Sequence, residues 1–152
     1  MRRTAGFTLV EIMIVVAIIA LLAVIALPSL LRARERTRRT KFVNALRVVR
    51  DACETYTAEH NGYPADVNRG VLPAGMQTYF NGKLDWTAPT PIGGRWDWDY
   101  QVYGFKAGVS VVAGDEDAQA MAEIDAMIDD GDLTSGAFQQ TAPDRYTWIV
   151  ED

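Results

Sequence analysis

Gly6-Phe7-Thr8-Leu9-Val10-Glu11 leads directly into IMIVVAIIALLAVIALPSLL, residues 12–31, a run with no charged side chain. A helix rises about 1.5 Å per residue, so this run spans about 30 Å, the thickness of a hydrocarbon core. It is apolar all the way round and therefore has no solvent face. A chain of 152 residues has too little remaining domain to wrap such a helix as a buried core element, and a membrane helix is the better reading. A cleaved secretory signal would have a shorter apolar core, followed by small residues at the cut. Here Pro28-Ser29-Leu30-Leu31-Arg32-Ala33-Arg34 follows instead, so the segment is expected to be retained.

Two features inside this segment carry chemistry. Glu11 lies one turn into the apolar helix, where a charged side chain costs several kcal/mol unless it is paired. An opposite charge would be a suitable partner if offered by a neighbouring subunit, and in low dielectric it would set the axial register between helices. The plainer alternative has Glu11 near the interface, snorkelling to water or protonated. Pro28 lacks an N–H and clashes with the carbonyl four residues back, which predicts a kink or bendable point in the spanning helix.

Charge divides the chain. Residues 1–41 hold Arg2, Arg3, Arg32, Arg34, Arg36, Arg38, Arg39 and Lys41 against Glu11 and Glu35, a net +6. The remainder holds seven Lys/Arg against eighteen Asp/Glu, a net −11, and the two give the chain's −5. An acidic domain with a basic collar beside an apolar helix does not suit nucleic acid, and lipid head groups are the nearer anion. The collar follows the apolar run, so flanking charge alone would place the carboxyl side in the cytoplasm. Cys53 is the only cysteine, which rules out an intrachain disulfide and a cysteine-based zinc site.

The Gly-Phe-Thr-Leu-Val-Glu run, its short basic leader and the apolar helix closely resemble type IV prepilins and type II secretion pseudopilins over about the first thirty-five residues. Glu59-His60-Asn61-Gly62-Tyr63-Pro64 is similar to the segment that ends the long helix in many pseudopilins. The resemblance implies a leader over residues 1–6, cleaved between Gly6 and Phe7 by a membrane prepilin peptidase, and N-methylation of Phe7. It implies assembly through Phe7 and Glu11 with other pilin subunits, on an inner-membrane platform. It also implies a single-pass inner-membrane protein whose carboxyl domain is periplasmic, against the charge rule. The filament would be a type II secretion pseudopilus or a related pilus for adhesion, motility or DNA uptake. The lone cysteine and short acidic domain lean toward the pseudopilus.

Beyond residues 7–31, the helix is expected to continue over residues 32–60. Arg32 to Lys41 reads as a solvated neck. Phe42, Leu46, Val49, Cys53 and Tyr56, flanked by Ala45, Val48 and Ala52, then form a stripe that needs a sheet to pack on. Asn61-Gly62 and Pro64 stop the helix, and His60 beside them reads as capping or exposed. Residues 61–152 form the acidic α+β part. It is expected to hold a short helical piece near residues 76–80 and a half-buried strand over 95–102. A partner strand over 108–112, a helix over 115–128 ending at Gly131, and a last strand over 146–150 follow. The fold class is thus α+β: a long helix, apolar then amphipathic, laid on a small antiparallel sheet of three strands.

Chemistry outside the helix start is sparse. Asp129-Asp130-Gly131-Asp132 is a set of turn carboxylates that could suit calcium, but it lacks the spacing and distal Glu of an EF-hand loop. A charged helix end is the better reading; some pseudopilins bind calcium, but their ligands do not map residue by residue onto this sequence, so no cofactor or metal ligand set is assigned. Trp86, Trp96, Trp98 and Trp148 could make a glycan-stacking platform, although aromatics at strand spacing more often form core. No Ser-His-Asp set, phosphate loop or metal-spaced His/Cys cluster is present, so no enzyme is expected. The rival to a filament subunit is a membrane-anchored module binding glycan or protein.

Overall fold

The computed structural model describes residues 6–152, so Met1 to Ala5 of the expected leader, with Arg2 and Arg3, lie outside the described residues. The chain divides into two compact units, Met1–Thr37 and Arg38–Asp152. Helix α1, Leu9–His60, begins in the first and ends in the second. Helical backbone continues through Pro28 without interruption, and Ser29 Oγ donates to the Ala26 carbonyl at 2.8 Å.

In the second unit the amphipathic part of α1 buries Phe42, Val43, Leu46, Val49, Ala52 and Cys53, which is the expected stripe with Val43 added and Tyr56 half-buried at its edge. These residues pack against a four-stranded antiparallel sheet made of β1 (Arg95–Tyr100), β2 (Ala107–Val112), β3 (Phe138–Ala142) and β4 (Arg145–Glu151), in the order β1-β2-β4-β3. Helix α2, Ala118–Ile128, lies between β2 and β3 in the chain, and the piece near residue 76 is a single 3₁₀ turn, Met76–Thr78. Three strands were expected; the fourth, β3, has the sequence FQQTA, whose run of polar residues masks the strand pattern. It earns its place by pairing with β4, which sets Phe138 opposite Trp148.

Strand alternation sorts the side chains onto two faces. Trp96 and Trp98, with their cross-strand partners Val111 and Val109, and then Trp148 and Phe138, form the apolar face. Trp96 stacks on Phe42 of α1 with centroids 5.5 Å apart, and the Trp98 indole N–H donates to the Pro64 carbonyl at 2.9 Å. Those contacts remove the glycan-platform reading: all four tryptophans are buried in the core.

β1 is not half-exposed as expected, since its polar positions are covered too. Asp97 and Asp99 are buried on the opposite face, where Arg145 Nη1 donates to both oxygens of Asp99 at 2.7 Å and Nη2 donates to Asp97 at 2.7 Å. Ser110 donates to Asp99 and bonds Thr147 at 2.7 Å, and Tyr103 lies under the Arg145 guanidinium at 4.7 Å. Phe105 closes this face over Gly108; a Cβ there would sit 2.7 Å from both the Phe105 ring and the Thr147 methyl, so the position demands glycine. Burial pushes the Asp97 and Asp99 carboxyls above the usual range despite the guanidinium.

The neck is also less solvated than expected at its distal end. Arg39 Nη2 and Nε reach Glu116 at 3.1 and 3.2 Å, Arg39 also pairs with Glu123, and Arg38 Nη2 lies 3.7 Å from Asp115. The helix expected from residue 115 begins at Ala118, so the acids at 115–117 precede it: Asp115 and Glu116 hold the arginines, while Asp117 caps the helix by accepting from the Ala120 N–H at 2.8 Å.

Candidate assembly site at the start of the long helix

Gly6 and Phe7 lie in extended chain just before α1, and Phe7 is 81% exposed. Among the described residues, none outside its chain neighbours lies within 4 Å of where a Cβ on Gly6 would be. Thr8 caps the helix. Its backbone N–H and its hydroxyl both donate to Glu11 Oε2 at 2.7 Å, while the Glu11 N–H donates back to Thr8 Oγ1 at 3.3 Å. This is a reciprocal capping box: the threonine oxygen satisfies a first-turn amide, and the carboxylate three residues on satisfies the cap's own amide. Near the helix amino end the carboxylate also meets the positive end of the helix dipole.

The capping role of Glu11 was not drawn from the sequence, although Thr-x-x-Glu ahead of an apolar run is its signature. It changes what Glu11 requires. Within one subunit both described bonds fall on Oε2, leaving Oε1 as the second acceptor oxygen of the carboxylate. Beyond the cap every residue from Leu9 to Leu31 is exposed, and the most apolar window of α1 has none of its residues buried. Such a surface is stable only in lipid or against other apolar helices.

Residues 1–27 match the family model of the prokaryotic N-terminal methylation motif. The type IV wide pilus major component PilA4 of Thermus thermophilus is 33% identical over 111 residues, covering 60% of this chain and 85% of that protein. The chain belongs to the type IV pilin-like family. As a pilin-like chain it is a filament subunit, and the pilin and pseudopilin families are structural. Type II secretion system core protein G is 35% identical over 63 residues in Aeromonas hydrophila and 38% identical over 64 residues in Klebsiella pneumoniae. Those matches cover 44% and 46% of the secretion proteins, less than half of their length. In fold, the pilin-like chain matches the major type IV pilin PilA1 of Clostridium difficile with a TM-score of 0.51 at 12% identity, covering 78% of this chain and 97% of that one.

The remaining residues singled out from the sequence divide clearly. His60 is exposed, stacked on Tyr56 at 4.1 Å, with Nδ1 3.0 Å from the Tyr56 carbonyl, a local role at the helix end. Asp132 turns into its own loop, accepting from the Thr134 N–H at 3.0 Å and hydroxyl at 2.7 Å, and those bonds hold its carboxyl below the ordinary range. Asp129 and Asp130 instead face Asp125, a buried α2 residue not selected from the sequence. The spacing of 125 and 129, one helical turn, was the available signal. Burial, then the charges of Asp130 and Asp129, push Asp125 up to about 6, with only the Gly131 N–H pulling the other way.

Proposed function

We propose that a prepilin peptidase cleaves this chain between Gly6 and Phe7, that the Phe7 amine is methylated, and that the mature subunit enters a filament through its apolar helix. Other pilin subunits are its partners in the filament, and an inner-membrane platform and bilayer lipid precede them. The observation that carries the reading is the Thr8–Glu11 cap at the head of a fully exposed apolar helix. The cap holds the Glu11 carboxylate at a fixed place on the helix rim. An incoming Phe7 ammonium from a neighbour can use Oε1 without breaking the bonds to Oε2. The pairing of opposite charges in low dielectric then selects one axial stagger among many that apolar packing alone would tolerate.

In this reading residues 7–31 span the inner membrane before assembly and the acidic domain is periplasmic. The order of charges argues the other way, but leader processing at the cytoplasmic face requires the amino end to stay inside. Pro28 provides a point of bending as the helix passes from bilayer to filament. The role is structural throughout, with no catalytic step and no nucleic-acid partner.

The type IV pilus is the preferred filament, supported by the relative whose length is covered to 85%. A secretion pseudopilus is the second reading, supported by the 35–38% identity to core protein G. Intact mass of the protein from its native cell tests the processing: a chain beginning at methylated Phe7 is expected, and one beginning at Met1 or Arg2 beside an active peptidase refutes it. Glu11→Ala is expected to leave a processed, membrane-bound subunit that no longer enters filaments. Imaging of sheared surface material separates the two filaments, since long fibres containing this chain exclude a pseudopilus-only role.

A further inference from the structure

Between α1 and β1 the chain runs over residues 61–94 with one 3₁₀ turn as its regular structure. Loops of that length in a compact domain usually carry a function of their own. Two reversals shape this one. The Met76 N–H donates to the Pro73 carbonyl at 3.2 Å, and the Lys83 N–H donates to the Phe80 carbonyl at 2.8 Å. The second reversal turns through Asn81 at φ 48° and Gly82 at φ 69°, residue types that accept left-handed backbone. Leu72, Phe80, Leu84 and Trp86 then line a cleft of about 440 Å³, with Gln77, Asp85 and Thr87 exposed around it, a size that suits a small ligand.

Trp86 marks this cleft out from the others on the domain. It is 3% exposed, and its indole N–H meets no acceptor among the described residues. Leaving a buried donor without an acceptor is costly, and the large majority of such groups are paired. The ring itself is engaged by stacking, on Phe80 at 5.8 Å and on Trp96 at 6.0 Å. What Trp86 has left to offer a ligand is therefore its N–H edge and not a ring face.

Asp85 is the complementary group. Its Oδ1 accepts from the Thr87 hydroxyl at 2.7 Å and the Thr87 N–H at 3.0 Å, and these bonds hold the carboxyl below its ordinary range. A carboxylate has room for about four donors, so capacity remains for one from a ligand. None of the described ion pairs involves Asp85.

We propose that this cleft binds the acetamido group of an N-acetylated amino sugar. The carbonyl oxygen accepts from Trp86 Nε1, the amide N–H donates to Asp85, and the methyl lies among Leu72, Phe80 and Leu84. The Gln77 amide, which can donate and accept, serves the ring hydroxyls. A plain hexose has neither the amide nor the methyl, and an anionic sugar is repelled by Asp85. The site adds a ligand to the filament reading and does not depend on it.

The test uses the full ¹⁵N-labelled chain in micelles of a sugar-free detergent, titrated with N-acetylglucosamine. The chain has four tryptophans, and the indole N–H signal that Trp86→Phe removes is expected to shift and saturate. Glucose and glucosamine, which lack the acetamido group, are expected to bind at least about tenfold more weakly. Trp86→Phe keeps an aromatic ring in the core and removes the donor; calorimetry is expected to show binding about tenfold weaker. Asp85→Ala makes the same comparison from an exposed position, with the Trp86 signal still present to report that the core is intact. A Trp86 signal that N-acetylglucosamine does not move overturns the proposal. Undiminished affinity in either variant overturns it too, as does equal affinity for N-methylacetamide, which carries the amide without the ring.

Discussion

Replacing Arg145 with methionine tests whether the polar face of the sheet is held by charge or by shape. Arg145 makes contacts of 2.7 Å to Asp97 and Asp99, with side-chain exposures of 9% for the arginine and 5% for each acid. Removing the cation leaves two buried carboxylates facing each other without a counter-charge, and breaking such a pair costs about 3–5 kcal/mol. The cost should depend on pH with a definite sign. Asp97 and Asp99 already have folded-state pKa values above their usual range, so the folded chain binds protons more tightly than the unfolded one. Stability therefore falls as pH rises from about 4, the unfolded carboxylate value, through the raised folded value. Arg145→Met should widen that window, with the full loss at neutral pH and most of it recovered below about pH 4. Adding Asp97→Asn and Asp99→Asn to the variant should restore much of the stability at neutral pH, since no orphan charge remains. Urea unfolding of the full chain in micelles, followed by the fluorescence of the buried Trp96 and Trp98, reads all three proteins. A loss below about 1 kcal/mol at neutral pH, the value of a surface pair, or a loss that does not change with pH, would refute the reasoning.

Phe42→Ala removes a fully buried ring stacked on Trp96 and should cost about 3–5 kcal/mol in the same unfolding assay. Asp117→Ala deletes the α2 cap and should cost about 1 kcal/mol, with a loss of helix seen by circular dichroism. Burial, with a smaller contribution from Glu54, pushes the Cys53 thiol up to about 12, so iodoacetamide at mildly alkaline pH should leave it unlabelled until denaturant is added.

The long helix was legible because its two halves follow different simple rules. One is apolar on every side, the other carries a stripe from Phe42 to Cys53, and Asn61-Gly62 ends it with Asn61 at φ 54°. Strands β1, β2 and β4 were legible from alternation to within a few residues. β3 was not: Gln139, Gln140 and Thr141 carry no apolar alternation, and the strand exists because β4 offers an edge to pair with. Asp97 and Asp99 read as solvent-facing because their partner lies 46 residues or more away, on a strand end that pattern alone does not place opposite them. At the helix start the residues were legible and the geometry was not. Glu11 was marked as a carboxylate in need of a partner, and the partner within its own chain is Thr8, three positions back.

The grip of Arg38 and Arg39 on Asp115, Glu116 and Glu123 bears on the order of events in a newly made chain. These contacts join residues 77 and 84 positions apart, so they form only after β1, β2 and α2 have been made and brought back to α1. Contacts of such separation belong to the late stages of folding. During synthesis the collar from Arg32 to Lys41 is consequently at full charge, without acidic partners from the domain. In the proposed orientation these charges cross the membrane before the domain has closed on the last two arginines. In that orientation the same two residues have successive roles, first as a charge that transport must overcome and then as a latch that holds the folded domain.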